Sequence, residues 1–149
     1  MSEDADLGEV RFDRVFNAPR ELVFRCMTTP EDLAQFWGPE GVHTPLENIT
    51  VELRVGGIFE TIMVNDATGE EYPSRGVCVE VDPPSRFVFR EFDNADGIVT
   101  AIDFIDQGDG TTRCLTVQSN VPAMYRTPEA QAGMESAFRQ FDQYLATLV

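Results

Sequence analysis

The segment from Pro128 to Val149 constrains the rest of this chain more than any other. Thr127-Pro128-Glu129 reads as a helix start: a hydroxyl at the N-cap, proline at the first helical position, and an acid beside the positive end of the helix dipole. Met134, Phe138, Phe141, Leu145 and Leu148 then recur at steps of four and three, which is one apolar face of a helix. Ala130, Ala137 and Tyr144 widen that face, while Glu135, Arg139, Gln140 and Asp142 fall mostly opposite. At 1.5 Å per residue the helix is roughly 30 Å long, enough to span a small domain. A helix with two inward phenylalanines needs a concave surface to lie against, and the preceding chain has to supply it.

That chain reads mainly as strands. Val10 to Phe16 alternates as a first strand. Two short helices follow. One starts at Ala18-Pro19-Arg20-Glu21; the other opens at Thr29-Pro30-Glu31-Asp32, where Asp32 stands at the capping-box position, and stops at Gly38-Pro39. All three helices thus begin with a proline, and 41–48 is a loop. Ile49 to Val55 alternates, breaks at Gly56-Gly57 with a bulge or bend, and continues as strand from Ile58 to Val64. Arg75–Val81, Phe87–Phe92, Ile98–Ile105 and Thr112–Ser119 are further strands. Asn65-Asp66-Ala67-Thr68-Gly69, Asp93-Asn94-Ala95-Asp96-Gly97 and Gln107-Gly108-Asp109-Gly110 are the hairpin turns between them. Strands joined by short turns pair antiparallel. The expected architecture is α+β: a curved antiparallel sheet of about six to seven strands gripping the terminal helix, with the short helices closing one end. An acidic tail over 1–9 precedes a single domain over 10–149.

With 149 residues, 42% of them apolar and eleven phenylalanines among these, the chain has enough material for one packed core. The net charge is −15 and every cation is arginine, a balance that disfavours a phosphate backbone as partner. No run approaches the ~20 apolar residues that cross a bilayer, and the polar start lacks an export signal, so no membrane and a cytoplasmic location are expected. Three widely spaced cysteines, Cys26, Cys78 and Cys114, read as buried thiols, neither a disulfide frame nor a metal site. No metal and no cofactor are expected: there is one histidine, no cysteine pair at ligand spacing, no phosphate loop and no dinucleotide fingerprint.

The residues that bear on function are those sharing a strand face with apolar neighbours. Glu91 alternates with Phe87 and Phe89, Asp103 with Val99, Ala101 and Ile105, and Arg75 with Val77 and Val79. Each of the three charges either points to solvent or lines a space between sheet and helix, where it would orient a ligand. Phe36, Trp37, Phe59, Met63, Phe89, Phe104, Met134 and Phe138 are candidates for the apolar wall, and each serves equally well as core.

Several motifs together resemble a known family. Ala18-Pro19-x-x-Leu22-Val23-Phe24 with Thr28-Thr29-Pro30-Glu31-x-Leu33-x-x-Phe36-Trp37-Gly38-Pro39 resembles the opening of the START-like (SRPBCC) superfamily. The branch it resembles is that of homologues of the heat-shock protein 90 ATPase activator's C-terminal domain. Leu53-Arg54-Val55-Gly56-Gly57-x-Phe59 is similar to that branch's most recognisable motif, and 76–89 to its central hairpin. Gly110-Thr111-Thr112-Arg113-Cys114-x-Thr116-Val117 and Gly133-Met134-Glu135-x-x-Phe138-x-Gln140-Phe141-x-x-Tyr144-Leu145 resemble its last strand and terminal helix. Glu52 stands where the branch often has aspartate, and Met134 where it often has tryptophan.

The resemblance implies a helix-grip fold with an apolar cavity, and a superfamily of lipid and hormone carriers, polyketide cyclases and aromatases, and chaperone co-factors. Three functions compete on this basis. The first is a non-catalytic module holding a small apolar or aromatic molecule. The second is a cyclase- or hydratase-type enzyme with Glu91, Asp103 or His43 as general base. The third is an interaction protein acting on a chaperone, which rests on the resemblance alone.

Overall fold

The computed structural model describes residues 7–92 and 97–149. Strand β1 (Leu7–Phe16) leads into helices α1 (Arg20–Thr28) and α2 (Pro30–Phe36), followed by the short strands β2 (Val42–His43) and β3 (Ile49–Val51). Then come β4 (Ile58–Asn65), β5 (Glu71–Asp82), β6 (Arg86–Glu91), β7 (Val99–Asp106), β8 (Thr112–Pro122), a 3-10 turn at Ala123–Tyr125 and the terminal helix α3 (Pro128–Ala146). The strands form one sheet in the order β1-β8-β7-β6-β5-β4-β2, with β3 also on β4, and every pairing is antiparallel. This is the expected helix-grip α+β arrangement: a curled sheet wrapped around α3. The strand count rises to eight among the described residues because β2 and β3, two and three residues long, add to it.

Alternation places one row of each strand toward α3. Thr100, Ile102 and Phe104 of β7 are buried, as are Thr112, Cys114 and Thr116 of β8 and Phe87 and Phe89 of β6. A bulge between Cys78 and Glu80 shifts the register of β5 on β6, so that Cys78 and Val81 both meet the core while Val79 is exposed.

α3 grips this surface with its second half. Phe138 meets Phe12 edge-on at 5.5 Å, Phe141 meets Phe16 at 4.8 Å, and Leu145 is fully buried. Thr127 caps the helix as expected, its hydroxyl accepting the Ala130 N–H at 3.2 Å. Leu148 lies beyond the helix end and is exposed, so the apolar stripe stops at Leu145.

Other local expectations are corrected. The segment from Ile49 is strand only as far as Val51, not to Val55, and the break expected at Gly56-Gly57 is a sharp bend. The chain folds back, so that β3 pairs antiparallel with β4, Ile49 opposite Thr61 and Val51 opposite Phe59. The turn is closed by hydrogen bonds from Arg54 N to Glu52 O and from Gly57 N to Arg54 O, both at 2.8 Å. A Cβ on Gly57 would stand 2.1 Å from Glu52 O, so this turn admits only glycine there. Pro19 is the N-cap of α1 rather than its first helical residue. Thr29 makes no side-chain cap, and the carboxylate of Asp32, the other half of the expected capping box, accepts instead from the Tyr144 hydroxyl of α3.

The first residues of the acidic tail expected over 1–9 lie outside the described residues, and Leu7–Glu9 already belong to β1. The turn at Asp93-Asn94-Ala95-Asp96-Gly97 also lies outside them, Gly97 excepted. No helix among the described residues is long and apolar enough to cross a membrane.

Candidate functional site

The first half of α3 stands away from the sheet. Its inward positions are Ala130, Gly133, Met134 and Ala137, small residues apart from the methionine, where the second half carries Phe138, Phe141 and Leu145. The short side chains do not reach the strands, and a cavity of about 670 Å³ remains between this half-helix and the sheet. Its floor is built by β4 to β8, with Thr61, Met63, Phe89, Thr100, Ile102 and Thr116 among the inward side chains. Phe36, Trp37 and the loop after α2 make one wall; Tyr72 and Pro73 of β5 and Tyr125 after β8 complete the lining.

The loop after α2 is held by α3 itself. Gln140 Nε2 donates to Gly38 O at 2.6 Å, and Ser136 Oγ accepts the Glu40 N–H at 2.8 Å. Thr44 Oγ1 adds a bond to Trp37 O at 2.8 Å. Gly38 has φ +121°, and a Cβ there would approach Met63 Sδ to 3.1 Å. The chain can therefore turn tightly enough to present Trp37 to the cavity only with glycine at this position. On the opposite side, Arg14 of β1 bridges to α3 through Glu135 at 2.9 Å and Asp142 at 2.6 Å, with its guanidinium 5.6 Å from the Phe138 ring centre.

Of the residues expected at the site, Phe36, Trp37, Met63, Phe89, Glu91, Met134 and Phe138 lie on the cavity lining. Four do not. Phe59 is buried behind the wall, its ring between Trp37 at 5.9 Å and Phe89 at 4.6 Å. Phe104 faces inward but is covered by α1, where Phe24 packs edge-on at 5.2 Å. Arg75 is on the outer face, its Nε donating to Glu60 at 2.7 Å. Asp103 is also outside, accepting from Arg86 at 2.9 Å, and this bond with a second from Arg86 to Glu80 raises the Arg86 pKa above its usual range. His43 sits on β2 beside Asp66 at 2.5 Å, more than half exposed and away from the cavity.

Sequence reasoning missed the polar part of the floor. Thr61, Thr100, Thr116 and Gln118 line the cavity, with Gln118 Nε2 donating to Thr100 Oγ1 at 3.3 Å. The alternation that puts Phe104 inside also puts Thr100 and Ile102 inside, so the signal was present on β7. Among the described residues no group of three or more His, Cys, Asp or Glu side chains is placed to hold a metal. The cavity presents a large apolar surface with scattered hydroxyls and amides and one carboxylate, an arrangement suited to enclosing a molecule and orienting it by a few hydrogen bonds.

Comparison with known proteins agrees with this architecture. A structure from Chromobacterium violaceum superposes with a TM-score of 0.81 at 24% identity, covering 91% of this chain and 95% of the other. One from Nitrosomonas europaea gives 0.82 at 20% identity over 99% and 97%. A protein of Silicibacter pomeroyi gives 0.77 at 23% identity over 95% and 99%. At these identities the likeness is one of fold. No curated protein sequence matches the chain. The family model described as activator of Hsp90 ATPase homolog 1-like protein matches residues 17–146, from the start of the short helices to the end of α3, and the chain belongs to that family.

Proposed function

We propose that this protein is a binding module that encloses a small apolar or aromatic molecule between its sheet and the first half of α3. The observation that carries this reading is the cavity of about 670 Å³. Ligand sites occupy roughly 300–1,000 Å³, whereas a packed interior leaves few voids larger than a water molecule. Its wall material supports the same reading, with Phe36, Trp37, Phe89, Phe138 and Phe141 all on the lining. Burial of aromatic ligand surface against such a wall is favourable by about 25 cal/mol per Å².

The enzymatic alternative, a cyclase- or hydratase-type reaction, is supported by one observation: Glu91 places a carboxylate on the cavity wall. Asp103 and His43, the other candidates for a base, lie outside it. A single carboxylate on the lining supports orientation of a ligand more directly than acid–base chemistry.

The test uses Trp37, the one tryptophan of the chain, which stands in the cavity wall. Titration with Nile red, a neutral apolar dye, should give saturable one-to-one binding with energy transfer from Trp37 to the dye. Absence of saturable binding would remove the basis for a binding module and leave a surface-acting interaction protein as the better reading.

A further inference from the structure

We infer that the cavity selects ligands carrying a basic amine, with Glu91 as the counter-ion that receives the ammonium group. The inference rests on the binding reading above and gives it a chemical class of ligand. Among the described lining residues, Glu91 is the one side chain with a formal charge. The other polar lining groups are neutral hydroxyls and amides, among them Thr61, Ser74, Thr100, Thr116 and Gln118.

Placement supports the role. Glu91 follows Phe89 by two residues on β6, so it occupies the next inward position along the strand. A ligand whose ring lies over Phe89 would carry its substituent toward Glu91. The cations nearest in the sheet point elsewhere. Arg90 is exposed on the other face of β6, and Arg75, next to the cross-strand partner Gly76, is engaged by Glu60 on the outer face. Arg14, which reaches α3 from β1, is held by Glu135 and Asp142.

A ligand carboxylate would therefore meet a carboxylate and no lining arginine. A ligand ammonium would meet an acceptor with about four lone-pair sites, enough to serve a ligand alongside another partner. Aromatic faces add attraction for a cation, since Trp37 and Phe89 present ring surfaces in the same cavity. The whole-chain charge of −15 works in the same direction, raising the local concentration of cations at the mouth.

Three probes that share one ring separate the contributions: naphthylmethylamine, naphthylmethanol and naphthylacetate, titrated by calorimetry. Roughly 0.15 M salt shortens the reach of surface charges to about 8 Å. The amine should bind about tenfold or more tightly than the alcohol, the scale of one charge-assisted hydrogen bond, and the acetate more weakly than either. In Glu91→Gln the advantage of the amine should fall to within about twofold of the alcohol, and an unchanged circular dichroism spectrum and urea midpoint show that the variant is folded. If the alcohol binds and the amine binds no better, or if the preference survives Glu91→Gln, the amine inference is wrong while the binding module stands. If none of the three probes binds, both are overturned.

Discussion

Phe36 and Phe141 stack almost parallel, with ring centres 4.2 Å apart and planes 19° from one another. The contact joins α2, near the start of the chain, to α3 at its end, and Phe141 also meets Phe16 of β1 at 4.8 Å. Phe141 thus sits where the first strand, the short helices and the terminal helix converge, and it is 1% exposed. Its neighbour Phe138 is packed on one side by Phe12 and Phe16 and on the other faces the cavity.

Truncating the two rings should therefore have unequal effects. Phe141→Ala is expected to cost about 3–5 kcal/mol, a large part of the stability of a domain this size. Phe138→Ala should cost less, because it is the more exposed of the two, 9% against 1%, and fewer contacts are lost. Urea denaturation measures both. Equal losses, or a loss under about 1 kcal/mol for Phe141→Ala, would contradict the packing described.

The Tyr144 hydroxyl donates to Asp32, whose carboxylate is largely buried and has Arg25 Nε 3.4 Å away. Burial first, and the bond to Asp32 second, push the Tyr144 pKa up to about 12. An unfolded tyrosine titrates near 10. Between these values the folded chain holds a proton that the unfolded chain has released, so the stability it contributes is complete below about pH 10 and declines as pH rises toward 12. Thermal unfolding across that window should show the decline in the wild type and a shallower one in Tyr144→Phe. An ultraviolet titration should also lose its most alkaline tyrosinate step in the variant.

The three cysteines are free and buried. Burial raises the pKa of Cys26 to about 11 and of Cys114 to about 12, and it also raises that of Cys78. Since the thiolate is the reactive form, native protein at about pH 8 should resist iodoacetamide, and unfolded protein should take up one label on each cysteine. Mass spectrometry distinguishes these states. Rapid labelling of folded protein would mean that one of these thiols is open to solvent.

Much of this architecture is legible in the residues because local and global preferences agree. The stripe Met134, Phe138, Phe141, Leu145 has one helical face and needs one concave partner, and the hairpin turns dictate antiparallel pairing. What could not be read is which strand face would be concave. Asp103 and Phe104 are adjacent on β7 and point to opposite sides of the sheet, so only one of them could face the helix. The packing of Phe24 on Phe104 decided it. Asp32 shows a second limit. Its local role as a helix cap lost to a partner 112 residues away, a competition no local pattern contains. Likewise the Gly56-Gly57 step reads equally as a bulge or a sharp bend until β3 is seen lying against β4.

Met134 is the most direct handle on the cavity. It is half-buried on the lining one turn before Phe138, and it follows Gly133, where an added Cβ would meet only Pro39 Cβ, at 4.0 Å. Met134→Trp adds a flat ring at the place where α3 stands off the sheet. With a cavity of about 670 Å³ beside it, the indole has room to turn inward without displacing the floor strands. Stability should then stay within about 1 kcal/mol of the wild type, while Nile red affinity falls at least about tenfold because ring and dye compete for one volume. Were the phenylalanines to close over this space in solution, the same substitution would overpack the core and cost about 1–3 kcal/mol, with no dye binding to lose. Urea denaturation and dye titration on the one variant therefore separate an open cavity from a filled one. Unchanged stability with undiminished dye binding would place the dye elsewhere on the protein.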